Sequence, residues 1–291
     1  MVVKNVKIYV LGEDYAGYNS PFLSQHGLSL LIKIENSNGI IKNILFDVGT
    51  YAKPILFNMK LLQLDPQNID AIILSHSHID HTGGVVEMVK AIQKNPIPIF
   101  AHPHIFKTSF ALDPEFSLAN SLTESIKKDV ERSGGRWILS SDPIRLIEGV
   151  STLGEIKKEE QLEFEKTPTI KLYYLENGKL VKDRVEDEIG LYIETRKGLV
   201  VVSGCSHPGI VSMIKKAIHL SGVNKVYAVI GGFHLIDADE DRINKTIAHL
   251  KKLGVERIYT GHCTGFKAEY MLSKEFGERF ERLHAGKVIE I

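Results

Sequence analysis

Six consecutive residues, His76-Ser77-His78-Ile79-Asp80-His81, offer three imidazoles and a carboxylate. Donors of this kind bind zinc, and also iron or manganese. Crowded on one bent loop they cannot all face one tetrahedral ion. Two adjacent ions are therefore expected, with His76 and His78 on one and Asp80 and His81 on the other. Without metal, three protonated histidines this close would repel one another. The apolar run Ala71-Ile72-Ile73-Leu74 precedes them and Thr82-Gly83-Gly84 follows, which predicts a buried strand, a turn and a helix. Side chains at the carboxyl end of such a strand lie on the rim of a sheet, where α/β folds bind ligands. The helix opening at Thr82-Gly83-Gly84 presents free N–H groups that could seat a phosphate. Lys267 and Arg184 are candidate phosphate partners, set against the plainer reading of surface charges.

The elements that would position these groups occur twice. In the first half, apolar runs end at Asp47, His76 and His102, separated by helix-like stretches at Ala52 to Leu64 and Val85 to Gln93. In the second half, runs end at Cys205, His234 and His262, separated by helix-like Ile210 to Leu220 and Asp241 to Leu253. Asp47 to His76 and Cys205 to His234 both span 29 positions, and the next intervals are 26 and 28. Strand-helix-strand units of this length build parallel sheet with helices packed outside. Two such units predict an α/β fold, a four-layer αββα sandwich of two similar halves, with the strand-end histidines converging on one edge. By this match His234 takes the place of His76.

Residues 105–186 carry no motif and are expected to form a lid or wall where substrate choice resides. Within them Thr123 to Arg132 reads as a helix. Trp137 to Leu139, Ile144 to Ile147 and Ile170 to Tyr174 read as strands, and the charge run Lys157 to Lys166 as a solvated face. No Gly-, Pro- or Ser-rich linker interrupts the chain, so one domain over 1–291 is expected.

Lys+Arg and Asp+Glu are both 36 in 291 residues, which argues against a broad nucleic-acid surface. No apolar run approaches the roughly 20 residues that span a bilayer. The opening Met1 to Lys7 reads as a first strand of a cytoplasmic protein, not a signal peptide. Self-association into a homo-oligomer is compatible with this composition. The two cysteines, Cys205 and Cys263, are too few for a disulfide scaffold, yet each lies within two residues of a candidate site histidine.

With its His-x-His-x-Asp-His run after a strand, the chain resembles the metallo-β-lactamase superfamily. Gly27 to Ile32 is similar to that superfamily's opening strand, and Ile44 to Gly49 to its Asp-x-Gly turn. Three further segments, Ser203-Gly204-Cys205-Ser206-His207-Pro208-Gly209, Gly231-Gly232-Phe233-His234-Leu235 and Gly261-His262-Cys263-Thr264-Gly265, are narrower. They resemble the subfamily named for 7,8-dihydropterin-6-methyl-4-(β-D-ribofuranosyl)aminobenzene-5'-phosphate synthase, of the methanopterin pathway.

The resemblance implies two divalent ions, zinc first, with manganese, iron or magnesium as alternatives. It also shows where the pattern breaks. No histidine lies between His104 and His207, and Cys205 stands where the superfamily carries its bridging aspartate. The expected sets are His76, His78 and His207 for one ion, and Asp80, His81 and His262 for the other. Asp187 or Glu188 could substitute, Glu155 more weakly, and a Cys205 thiolate is a sound zinc donor. Asp47 is expected to orient a metal-bound histidine ring. Asp80 and His234 are the catalytic candidates, and Cys205, His234 and Thr264 the candidate substrate contacts. His102 and His104 are read as structural or at the rim. His26, His219, His249 and His284 are read as surface or packing residues.

The implied reaction is group transfer, joining a 7,8-dihydropterin methyl diphosphate to an aminobenzene ribofuranosyl phosphate with loss of pyrophosphate. The alternatives are a dinuclear hydrolase of a phosphoester, thioester or lactone, and a non-catalytic binding member of the fold.

Overall fold

The computed structural model describes residues 3–112, 115–120, 122–166 and 171–291. Met1, Val2 and Ile170, at the start of two expected strands, lie outside the described residues.

The first sheet comprises β1 (Asn5–Gly12), β2 (Ser29–Glu35), β3 (Ile41–Phe46), β4 (Ala71–Ile73), β5 (Ile97–Ala101), β8 (Gly135–Leu139) and β18 (Val288–Glu290), in the order β18-β1-β2-β3-β4-β5-β8. The second comprises β9 (Arg145–Ile147), β10 (Val150–Thr152), β13 (Leu191–Thr195), β14 (Gly198–Val202), β15 (Val226–Gly232), β16 (Arg257–Gly261) and β17 (Phe280–Arg282), in the order β17-β16-β15-β14-β13-β10-β9. A small third sheet holds β6 (Phe110–Ala111), β7 (Ser117–Leu118), β11 (Leu172–Glu176) and β12 (Lys179–Asp183). The helices are α1 (Ala52–Leu61), α2 (Ile79–Thr82), α3 (Val85–Ile92), α4 (Glu124–Arg132), α5 (Ile210–Ser221), α6 (Glu240–Lys252) and α7 (Phe266–Phe276).

Strand periodicity explains the layers. In β14, Val200 and Val202 point into the core between the two large sheets, while Leu199 and Val201 pack under α5 and α6. In β2, Leu30, Ile32 and Ile34 face the inter-sheet core and Leu31 faces the layer of α1 and α3. Both faces of each sheet are thus covered, which gives the four-layer αββα sandwich. The two halves correspond closely: β3, β4, β5 and β8 run parallel in one sheet, and β14, β15, β16 and β17 in the other. The remaining strands of each large sheet pair antiparallel.

The stretch from 105 to 186 contributes strands to all three sheets. Its middle returns to the sandwich: β8 extends the first sheet, and β9 and β10 extend the second. Only the small sheet stands apart, and it is tied to the metal-motif loop by an Ile79 N–H to Ala119 O bond of 2.9 Å. The charge run is likewise only partly solvated. Glu165 is buried and accepts from the N–H groups of Val211 and Ser212 at 3.0 and 2.9 Å, so it caps α5 from a distant segment. Among the described residues no helix is long and apolar enough to cross a membrane.

Candidate metal centre

The motif lies at the rim of the first sheet, after β4, and α2 turns its histidines inward. Facing it are the loops after β14, β15 and β16. The halves meet closely. Gly27, at φ +122°, lies so near Asp80 that a Cβ there would fall 2.0 Å from the Asp80 carbonyl oxygen. At Gly204 an added Cβ would fall 2.2 Å from Ser75 Oγ. Only glycine lets the backbones approach this far.

Two groups of donors result. Ligand atoms of His76, His78 and His207 all lie within 4.8 Å of one another, and their Nε2 atoms are buried without a hydrogen-bond partner. Burial and neighbouring imidazoles depress all three, His78 to about 3, so the rings are neutral near pH 7. Buried nitrogens left unpaired cost about 1–3 kcal/mol each, and convergence of three on one point fits a cation. Two of the other ring nitrogens are held: Nδ1 of His76 lies 2.9 Å from Ser75 Oγ, and Nδ1 of His207 lies 2.7 Å from Glu188.

The second group joins Asp80, His81, Cys205 and His262, also within 4.8 Å. Asp80 Oδ2 is 3.3 Å from His81 Nε2 and 3.1 Å from His262 Nε2, and Cys205 Sγ is 3.1 Å from His81 Nε2. Asp47 Oδ2 sits 2.7 Å from His81 Nδ1, and Asp14 Oδ2 sits 2.5 Å from His262 Nδ1. Burial alone would lower His81, but Asp80 and Asp47 outweigh it and lift the ring to about 10. The groups adjoin, with the His76 and His81 ring centroids 4.3 Å apart. Imidazole, carboxylate and thiolate together suit zinc.

Other candidate residues have these partners. Glu188 is not poised as a ligand: its oxygens accept the backbone N–H groups of Cys205, Ser206 and His207, and hold the His207 ring. Asp187 accepts from Ser77 N–H at 2.8 Å instead. Glu155 faces His102, 3.4 Å away, outside both donor groups. Thr264 is fully buried, bonded to Phe233 N–H and to Thr260, so it braces a turn and has no surface for substrate. The glycines of Thr82-Gly83-Gly84 offer no phosphate seat, because α2 has already begun at Ile79. The Gly83 and Gly84 N–H groups bond to Ile79 O and Gly49 O at 2.8 and 3.2 Å. Lys267 pairs with Glu240 at 3.6 Å, and Arg184 is exposed.

Asp14 and Glu13 were missed from the sequence, and His26, read as a surface or packing residue, is exposed but reaches Asp14. Asp14 bridges His26 and His262, while buried Glu13 accepts the His262 N–H at 2.5 Å. Burial pushes Glu13 up to about 7. Their one signal was position, immediately after β1 and just before the Gly27 strand. A cleft of about 350 Å³ opens over the second group, lined by Asp14, His26, His78, Asp80, Cys205, His234, His262 and Cys263. Its opposite wall is Ala111, Ser117, Ala119, Leu172 and Ile236. His234 stands in this lining with its ring 4.3 Å from that of His207.

The comparisons with known proteins bear on this geometry. The sequence profile of the metallo-beta-lactamase superfamily matches residues 36–169. The chain is 68% identical, over 99% of its length and 97% of the other protein, to the 7,8-dihydropterin-6-methyl-4-(beta-D-ribofuranosyl)-aminobenzene-5'-phosphate synthase of Methanocaldococcus jannaschii. It is 30% identical to an uncharacterized protein of the same organism, over 98% of this chain and 100% of that one. A solved metal-dependent hydrolase of the beta-lactamase superfamily superposes with a TM-score of 0.80 at 26% identity, covering 98% of this chain and 99% of that one. The chain therefore belongs to the metallo-β-lactamase superfamily and, within it, to the family of the M. jannaschii synthase.

Proposed function

We propose that this chain is the transferase its 68%-identical relative is named for, joining a 7,8-dihydropterin methyl diphosphate to an aminobenzene ribofuranosyl phosphate. That near end-to-end identity is the observation that carries the reading. The bond formed is between the pterin methyl carbon and the arylamine nitrogen; the carbon–oxygen bond to the diphosphate breaks, pyrophosphate departs and the amine gives up a proton. In this reading His76, His78 and His207 hold one divalent ion, and Asp80, His81, Cys205 and His262 hold a second. Such ions supply neutralisation of the charge that collects on the leaving pyrophosphate. Zinc suits the donors, and the cytoplasm is the compartment we assign.

The chain's own residues do the rest. Asp47, Glu188 and Asp14 fix the rings of His81, His207 and His262, so the donors are positioned before substrate arrives. Ala111, Ala119, Leu172 and Ile236 give the cleft an apolar wall suited to a flat heterocycle. His234, in the cleft beside His207, is within reach of a bound substrate. No nucleophilic side chain is required.

The test is to supply dihydropterin diphosphate with and without the arylamine and to follow the coupled product and pyrophosphate. Coupled product that forms only with the amine is expected. Pyrophosphate released at the same rate in both mixtures, with no coupling, would assign the chain to the hydrolases.

A further inference from the structure

Beyond the two donor groups described, we propose a third cation position, held by Cys205, His234 and Cys263 and suited to a thiophilic ion such as zinc. Ligand atoms of these three residues lie within 4.8 Å of one another, and both cysteines are free and buried. Tetrahedral zinc bound to two sulfurs at about 2.3 Å and one nitrogen at about 2.0–2.1 Å spaces its donors a little under 4 Å apart, so only a small closure is needed.

Two independent observations point to a ligand there. Both ring nitrogens of His234 are buried with no well-formed hydrogen bond, and the side chain they interact with is the Cys263 thiol of the same group. The His234 backbone is held at φ +44°, in the left-handed region. The second observation is room for sulfur. A Cβ at Gly232 would fall 2.5 Å from Cys263 Sγ, so glycine alone at that position leaves the thiol its place between β15 and β16.

Cys205 also belongs to the group with Asp80, His81 and His262. Its thiolate therefore bridges the second and third positions. All three residues line the cleft, so an ion held by them would lie beside the space where substrate would sit. An ion there makes His234 a ligand rather than a direct substrate contact.

The test is cobalt substitution of the intact, phosphine-reduced chain, reading bound metal and the near-ultraviolet sulfur-to-cobalt band. The wild type is expected to take up about three ions per chain. Cys263→Ser and His234→Ala are expected to take up about two, and Cys263→Ser to lose roughly two-thirds of the band, because two of three sulfur–cobalt bonds go with the third ion. Uptake that stops at two in the wild type overturns the proposal, as do variants that bind metal like the wild type. Joined sulfurs in the unreduced chain, with no third ion after reduction, overturn it too. Should either variant fail to fold by circular dichroism, X-ray absorption at the zinc edge of the wild type decides. About one sulfur per zinc, averaged over three ions, is expected, and one-half or less refutes it. His234→Ala that weakens substrate binding with metal content intact would return His234 to substrate contact.

Discussion

Glu188 holds His207 from two sides: its Oε2 accepts the residue's backbone N–H at 2.6 Å and lies 2.7 Å from the ring's Nδ1. The same carboxylate also accepts the Cys205 and Ser206 N–H groups, so one buried side chain fixes the whole turn after β14. With Nδ1–H directed at a carboxylate, the lone pair of Nε2 is free to face a cation. Glu188→Ala should therefore weaken metal binding at the three-histidine group about 10–100-fold. Competition against a chelating dye measures this, and an unchanged affinity would show that the turn holds its shape without Glu188.

Removing metal should make the protein acid-sensitive. His76, His78 and His207 are held below their ordinary value by burial first and by neighbouring imidazoles second. In the unfolded chain each titrates near about 6.5. As pH falls below that value the unfolded state binds protons that the folded state refuses, so stability declines with acid. Chelator-treated protein should lose melting temperature between about pH 6.5 and 4. The loss should be less steep than three histidines alone would give, because Glu13 and Asp187, raised to about 7 by burial, gain protons in the folded state over the same range. The loaded protein should start higher, by about 2.7 kcal/mol at a hundredfold excess of free ion over its dissociation constant. Calorimetry across that range checks both; a flat profile after chelation would contradict neutral buried rings.

The sequence carried the first-half donor cluster and the strand-helix rhythm because both depend on local spacing. Asp47, His76, Cys205, His234 and His262 all follow strands or strand-end turns, as the repeated intervals required. Helix starts were close: Thr123 caps α4, accepting from Ile126 N–H at 3.3 Å. Long-range partners left no local trace. No spacing or neighbouring motif marks Asp14, whose partner His262 lies 248 positions away. Glu165 sat inside a charge run that reads as solvated, and only the arrival of α5 buries it. The Thr82-Gly83-Gly84 turn misled because glycines before a helix suit both a phosphate seat and a tight approach. Here a Cβ on Gly83 would lie 2.4 Å from Thr50 O, so close packing is the reason.

Lys107 anchors the small sheet to the metal loop. Its ammonium lies 2.6 Å from Asp183, 3.1 Å from Glu186 and 3.8 Å from Asp187, with both aspartates buried and the lysine partly so. Asp187 in turn accepts the N–H of Ser77, between two of the motif histidines. Burial opposes the charge on Lys107, but Asp187 and Asp183 outweigh it and raise the group to about 12. The sign follows: stabilisation is complete below the unfolded value of about 10.4 and is lost as pH rises through about 12. Lys107→Met leaves buried carboxylates uncompensated and should cost about 3–5 kcal/mol near neutrality. Urea denaturation at pH 7 measures it, and a loss under about 1 kcal/mol would mark the network as solvated.

Glu165 and Gly209 form the cap of α5 jointly. Glu165 supplies acceptors for the Val211 and Ser212 N–H groups and for the Ser212 hydroxyl, at 3.0, 2.9 and 2.5 Å. Gly209, at φ +98°, leaves space for that carboxylate, since a Cβ there would fall 2.2 Å from Glu165 Cδ. Glu165→Ala strands two helix-end donors away from water and should cost about 1–3 kcal/mol. Gly209→Ala should cost more, because it adds backbone strain to the same displaced carboxylate. In the double variant the clash with the carboxylate disappears, so the two losses should sum to less than additivity predicts. Because α5 follows directly on the turn that carries Cys205 and His207, both single variants should also lower metal affinity. Chemical denaturation and metal competition on the three proteins check this, and strictly additive losses with unchanged metal binding would show that the cap and the site are independent.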